Sequence, residues 1–472
     1  MERPEGWGFS AVLSGSFLLS CLLFSRITRE QRQPYMDEIF HVPQAREYCG
    51  GHFQQWDPMI TTLPGLYLVS VGLMKPAAWL FGWSQDVTCS AGMLRFINIL
   101  FCIGNLYLLY LLICRIHHKN KAASGFQRIL SPLTLSMLPP LYFFTFLYYT
   151  DTGSTFFVLF MYLMSLYGCH RTAALLGFCA FLFRQTNIVW IVFCAGNLVA
   201  EKLAEAWKTE LSKKKDEKVS PTVGSLPEIM KGLKFLLGYI MSFNNVKMLI
   251  VLTWPYIFLV LVFFAFVLFN GGIVVGDRSN HEACLNVPQL FYFFSFTLVF
   301  SSPHLLSPHK ITSFLRSLWR RPAQYLVLAA LSLLLVCKFT YVHKYLLADN
   351  RHYTFYVWQR IFQRHELVKY ALVPGYIFAG WSFANSLKSK SVFWNLMFFA
   401  CIFAATVPQK LLEFRYFILP YLIYRLNIAL PPVSRLLLEM GLYAVVNALT
   451  IYLFLNRTFQ WPGSEGIQRF MW

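Results

Sequence analysis

Runs of about twenty apolar residues recur from one end of this chain to the other, and no soluble core can absorb them all. WGFSAVLSGSFLLSCLLFS (7–25) and MLIVLTWPYIFLVLVFFAFVLF (248–269) are two of them. A helix needs about 20 such residues to cross the hydrocarbon core. Only 13% of residues are charged, against roughly 25% in a soluble domain. The expectation is an all-α, polytopic transmembrane helical bundle, a single domain over 1–472 with about a dozen spans. The leader MERPEG is net acidic and no small-residue cleavage site follows, so 7–25 reads as a true span and not as a signal peptide.

The net charge of +19 fits lysines and arginines anchoring helix ends at anionic headgroups. No soluble stretch is long enough to fold into a nucleic-acid-binding domain, so nucleic acid is excluded as a partner. Of eleven cysteines, Cys21, Cys102, Cys179, Cys194, Cys337 and Cys401 lie inside apolar runs, and no C-x-x-C occurs; they read as small core residues. Cys49 and Cys284 sit in polar loops, which leaves a disulfide between them open.

Cytoplasmic loops collect Lys and Arg. The basic segments are 115–128, the lysine-rich linker 200–240, 309–322 and 387–390. Two features must hold if all four share a side. The segment 62–83, with prolines flanking its apolar core and Lys75 inside, becomes a juxtamembrane or re-entrant helix. The stretch 173–200 goes in and comes back, as two short half-helices meeting at RQTN (184–187), because a broken helix at membrane depth must line a cavity or be buried. Arg26, Arg29 and Arg32 argue the other way at the first span and are outvoted. The opposite face then gathers 26–61, YTDTGS (149–154), RQTN, GDRSNHE (276–282), 343–366 and QKLLEFR (409–415). It also receives the sequon at Asn456, which suits a lumenal side. The side of the C-terminus stays open.

Within PYMDEIFH (34–41), Asp37, Glu38 and His41 share a face if helical. The plain reading is an N-terminal turn with acids at the positive end of a helix. A zinc protease fails, because Asp37 stands where the first histidine of H-E-x-x-H is needed. A general base taking a proton from a hydroxyl fits the cluster. Arg278, Arg351, His352 and Arg415 suit an anion such as phosphate, and Arg184, between two apolar half-helices, needs a buried partner or a ligand. Together these residues point to transfer from a lipid-linked phosphate donor to a hydroxyl.

PYMDEIFH, QWDPMITTLPGLY, FRQTN, GGIVVGDRSNHEACL, LLADNRHYTFYVW and PQKLLEFRYFILPY resemble the dolichyl-phosphate-glucose-dependent alpha-1,2-glucosyltransferases of the GT-C superfamily. The resemblance runs from about residue 34 to the C-terminal QRFMW. It implies a multi-pass endoplasmic reticulum membrane protein with a lumenal active site. The implied substrates are dolichyl phosphate glucose and the diglucosylated dolichyl-diphosphate-linked oligosaccharide of N-linked glycosylation, with no cofactor and no metal. It also implies inversion by direct displacement. By analogy Asp37 is the base. Glu38 is second candidate, for the same role, for orienting the acceptor or for pairing with a nearby arginine. Arg351 and His352 are expected at the donor phosphate with Arg278 and Arg415 behind them, His41 and Tyr353 contact substrate, and Arg184 braces the cavity. Trp56 and Tyr353 could stack on sugar rings, although core packing explains them as well. A non-catalytic membrane regulator, for example of an ion channel, is the alternative function; a transporter is disfavoured because RQTN has no counterpart in the other half.

Overall fold

The computed structural model describes residues 3–118, 124–213, 226–279, 283–463 and 466–472. Residues 214–218 of the lysine-rich run, 119–123 of the first basic loop and 280–282 of GDRSNHE lie outside the described residues.

The chain winds into helices almost throughout. Those that position the site are α1 (Arg3–Glu30), α2 (Glu38–Gly50), α3 (Gly65–Phe81), α4 (Ala91–Ile116), α5 (Thr150–Leu166), α6 (His170–Phe183), α7 (Ile188–Lys213), α8 (Phe243–Asn270), α9 (Pro288–Phe300), α10 (Pro308–Arg320), α11 (Pro322–Phe339), α12 (Val373–Ser386), α13 (Ile418–Asn427) and α14 (Val433–Asn456). Among the described residues, six helices are long and apolar enough to cross a bilayer, and shorter apolar helices lie between them in sequence. The described strands are one antiparallel pair, β1 (Thr458–Gln460) with β2 (Ile467–Arg469).

Local chemistry sets the boundaries. Ser90 caps α4 by accepting from the Met93 amide. Gly271, at φ 72°, ends α8 in the left-handed conformation that glycine adopts without penalty. Gly65 starts α3 for a different reason: a Cβ there would lie 2.6 Å from the Leu182 backbone, so only glycine lets α3 meet the end of α6.

Parts of three of the basic segments lie against neighbouring helix ends. Arg115 Nη2 donates to the Leu166 carbonyl, His117 to that of Leu426, and Lys390 Nζ to Asn427 Oδ1. Lys310 reaches the Ser382 carbonyl and Ser386. The expected break at RQTN is present: α6 ends at Phe183, Arg184 is extended, and a 3-10 turn (Gln185–Asn187) leads into α7. Asn187 Nδ2 ties the turn to Ser154 and to the Ala180 carbonyl. The second arm, however, is no half-helix. It runs 26 residues, because good helix formers and the Lys202–Glu205 pair carry it into the linker. Leu226–Ile240 resumes as helix after it. α3 is one continuous helix despite Pro76. It buries Leu66, Tyr67, Val71 and Met74 and exposes Leu73, Trp79, Leu80 and Phe81.

The possible Cys49–Cys284 bridge is corrected: Cys49 bonds Cys89, and Cys284 is a free thiol. The end of α2 lies over the residues that precede α4, where Arg46 Nε donates to the Cys89 carbonyl. Cys284 belongs to another neighbourhood, donating its amide to Pro408.

Candidate active site

Everything at the first acidic pair follows from one turn. Met36 takes φ 55°, a left-handed conformation that a side-chain-bearing residue rarely adopts. The turn places Asp37 at the N-cap of α2, its carbonyl accepting from the Phe40 and His41 amides. Successive side chains then point to different places.

Glu38 points inward and is fully buried. Its Oε1 accepts from Arg95 Nε at 2.8 Å and the Tyr148 amide at 2.6 Å; its Oε2 accepts from Arg95 Nη2 at 2.6 Å and the Tyr35 amide at 3.0 Å. The Tyr148 amide belongs to the unwound stretch between Pro139–Phe144 and α5, whose backbone needs partners. Asn98 Nδ2 supplies the others, donating to the Leu147 and Tyr149 carbonyls. Glu38 thus braces a turn and an arginine and has no opening to substrate.

Asp37 points outward, its side chain 43% exposed, into a cavity of about 300 Å³. Tyr149, Asp349, Arg351, His352, Glu413 and Arg415 share that cavity, and Leu346, Leu411, Leu412 and Met471 supply apolar wall. Arg415 Nη1 stands 3.3 Å from Asp37 Oδ2, while its other side grips Glu413 at 2.7–2.8 Å. Asp151 lies 3.8 Å from Arg415 and 2.8 Å from Arg184, so the charges alternate from Asp37 through Arg415 and Asp151 to Arg184. Burial alone would push the Asp37 carboxyl up. The Arg415 guanidinium beside it, with His41 and His352, outweighs burial and holds the carboxyl below the usual carboxylate range.

Arg351 forks onto Asp349 with two 2.8 Å bonds, lies over the Trp461 ring and donates Nη1 to Gln468 Oε1. Burial would raise the Asp349 carboxyl, but that fork holds it low. His352 Nδ1 lies 2.8 Å from the Trp472 carbonyl, which can only accept, so Nδ1 carries hydrogen and Nε2 is left toward Asp349 at 3.8 Å. This loop is held by the C-terminal segment: the Tyr353 amide donates to the Met471 carbonyl, and the Met471 amide to that of Arg351. Tyr35 Oη bridges the Arg469 backbone, fastening the segment to the turn before Asp37.

The other expected residues fall elsewhere. His41 is buried against the Tyr67 hydroxyl, and burial lowers its basicity. Arg278 is spent on carbonyls at the end of α8, donating to Asn270, Gly271 and Val274. Tyr353 packs edge-on to Trp472, and Trp56 likewise to Tyr67; neither lines the cavity. Arg184 lines a smaller cavity of about 40 Å³ next to Arg415. Sequence reasoning did not single out Arg95, Glu413, Asp151 or Gln468. A lone arginine in the apolar run of α4 was a signal, because such a charge needs a partner.

A curated protein of Mus musculus is 68% identical over the full length of both chains, and one of Homo sapiens is 67% identical over the full length of both. One of Arabidopsis thaliana is 35% identical over 93% of this chain and 95% of its own. Each carries the name Dol-P-Glc:Glc(2)Man(9)GlcNAc(2)-PP-Dol alpha-1,2-glucosyltransferase. No solved structure matches. The DIE2/ALG10 family model matches residues 31–426, which carry Asp37, Arg351 and Arg415 alike, and the chain belongs to that family.

Proposed function

We propose that this chain is an inverting glucosyltransferase moving glucose from dolichyl phosphate glucose to the diglucosylated dolichyl-diphosphate-linked oligosaccharide, forming an alpha-1,2 linkage at the lumenal edge of the endoplasmic reticulum membrane. Relatives carrying that activity in their names cover the whole chain. The observation that carries the mechanism is Asp37, the most exposed of the three carboxylates in a cavity rimmed by Arg351, His352 and Arg415.

Asp37 takes the proton of the acceptor 2-hydroxyl as its oxygen attacks the anomeric carbon. The bond from that carbon to the phosphate oxygen breaks, and dolichyl phosphate leaves with the electron pair. Attack opposite the leaving group inverts the centre, from a beta-linked phosphate to an alpha glucoside. The lowered basicity of Asp37 keeps it ionised and ready, at some cost in proton affinity.

The departing phosphate gains one unit of negative charge, so stabilisation must grow as the bond breaks. Arg351 and Arg415 already face carboxylates. The Arg351 Nη1 bond to neutral Gln468 is therefore the one most cheaply exchanged for a phosphate oxygen. His352, with its Nδ1 turned to the Trp472 carbonyl, leaves Nε2 facing Asp349 at the cavity wall. Arg184 holds Asp151, which helps hold Arg415. The Cys49–Cys89 bridge on this face suits an oxidising compartment.

The test is transfer by purified protein in bilayer discs, with dolichyl phosphate glucose and the diglucosylated acceptor. Product formation that is lost in Asp37→Asn supports the reading; no transfer by well-folded wild type across a range of dolichyl donors overturns it.

A further inference from the structure

A cleft of about 900 Å³ opens between α9, α10, α11 and α12, away from the Asp37 cavity. Its two ends differ in chemistry. The wall is apolar and aromatic, with Phe291, Phe294, Leu328, Tyr376 and Ile377. The rim is basic, with His309, Arg316, Arg320, Arg321 and Lys388, and no Asp or Glu lines the cleft. Phe291 is near the start of α9 and Arg320 is at the α10–α11 junction, on the same helix as Lys310, which reaches Ser382 and Ser386 near the end of α12. The cleft follows the first part of α11, through Gln324, Tyr325, Leu328 and Ser332.

The cations at this rim differ from five arginines packed inside the bundle. Arg95, Arg184, Arg351, Arg415 and Arg425 each face a carboxylate. Among the described residues, Arg316, Arg320, Arg321 and Lys388 have no ion pair and no side-chain hydrogen bond. Clustered like charges repel, and the chain provides no counter-charge within the cleft. The missing partner must be anionic at the rim and apolar along the wall.

We propose that this cleft is a binding site for one anionic phospholipid of the leaflet that meets the basic rim. Its phosphate lies among Arg316, Arg320 and Lys388, and an acyl chain follows Phe294 and Tyr376. Guanidinium forks suit phosphate oxygens. A water-soluble phosphate would leave the apolar wall bare, and a neutral lipid would leave the rim uncompensated. The site is separate from glucosyl transfer and stands whether or not that reading holds.

The experiment uses full-length protein in bilayer discs of phosphatidylcholine, alone or with phosphatidylserine. Retained lipid is read by native mass spectrometry after release, and the unfolding midpoint in parallel. Arg316→Gln/Arg320→Gln/Lys388→Gln is compared with Lys208→Gln/Lys234→Gln/Lys247→Gln, which removes equal charge from outside the cleft. Wild type and the second variant are expected to retain one phosphatidylserine and to gain thermal stability from it. The cleft variant should lose both, with affinity down about 100-fold for three cations. Equal retention by the cleft variant, equal loss by the control variant, retention of phosphatidylcholine alone, or equal protection by soluble glycerophosphoserine would each overturn the proposal.

Discussion

Glu38 and Arg95 lock together 57 residues apart in sequence, with both side chains fully buried and two bonds of 2.8 and 2.6 Å between them. The same glutamate holds the Tyr35 and Tyr148 amides, so it fixes the strand of chain that enters the Met36 turn. Asp37, one residue earlier, is left free to face the cavity. Removing one partner of a buried pair strands the other charge, at about 3–5 kcal/mol. Glu38→Gln is expected to lower stability by that order and to reduce yield. Asp37→Asn should keep a near wild-type unfolding midpoint while losing about 10²–10⁴-fold in transfer, the usual range for a general base. Parallel melts and transfer assays separate the two; a stable Glu38→Gln protein would remove the structural role assigned to it.

The Asp37 carboxyl sits low because Arg415 outweighs burial. Transfer needs the ionised form, so activity should fall only as pH drops below the ordinary carboxylate range. In Arg415→Gln burial is less opposed, the carboxyl moves up, and the acidic limb of the pH–rate profile should shift to higher pH. The limb position reports this separately from the lower maximum rate that loss of a phosphate contact also brings.

Arg351→Lys keeps charge but loses the fork to Asp349 and the stacking on Trp461. We expect the KM for the dolichyl donor to rise about 10- to 100-fold, the worth of a charged hydrogen bond or two. Gln468→Ala should act on the same parameter more weakly, and acceptor KM should stay put. Donor and acceptor titrations on reconstituted protein check the split.

Breaking Cys49–Cys89 opens a constraint over a sequence separation of 40 residues. The chain-entropy model assigns such a bridge about 4 kcal/mol. Cys49→Ser, Cys89→Ser and the double variant should lose similar stability, since one bond is lost in each case. Thiol titration under denaturing conditions should show two more free cysteines after reduction of the wild type; no increase would remove the bridge.

The apolar helices and the break at RQTN were legible because hydrophobic run length and misplaced charge are local properties. Arg351, His352 and Arg415, read as suited to an anion, line one cavity. What escaped was pairing. Nothing in DEIFH says that a left-handed Met36 sends Asp37 outward and Glu38 inward. Arg278 looked like its fellow arginines, yet it is close enough to the end of α8 to bind the carbonyls there. Cys49 chose Cys89 over Cys284 through the path of α2, which residue spacing does not encode. The RQTN arm after Asn187 outran its expected length because the start of the linker, expected to be partly helical, continues the same helix to Lys213.

The fastening of Tyr35 to Arg469 spans 434 positions, and Met471 lines the same cavity as Asp37. Contacts that distant cannot form while the ribosome is still feeding the middle of the chain. The cavity has to close late, after the helices between have been inserted and packed, and high contact order makes such closure slow. A nascent chain stalled before Gln468 would lack Met471 from the cavity wall and the Met471 backbone bonds that hold the Arg351–Tyr353 stretch. Truncation or translational pausing near the end of the message should therefore yield protein that inserts and is recognised as membrane-embedded, yet transfers no sugar.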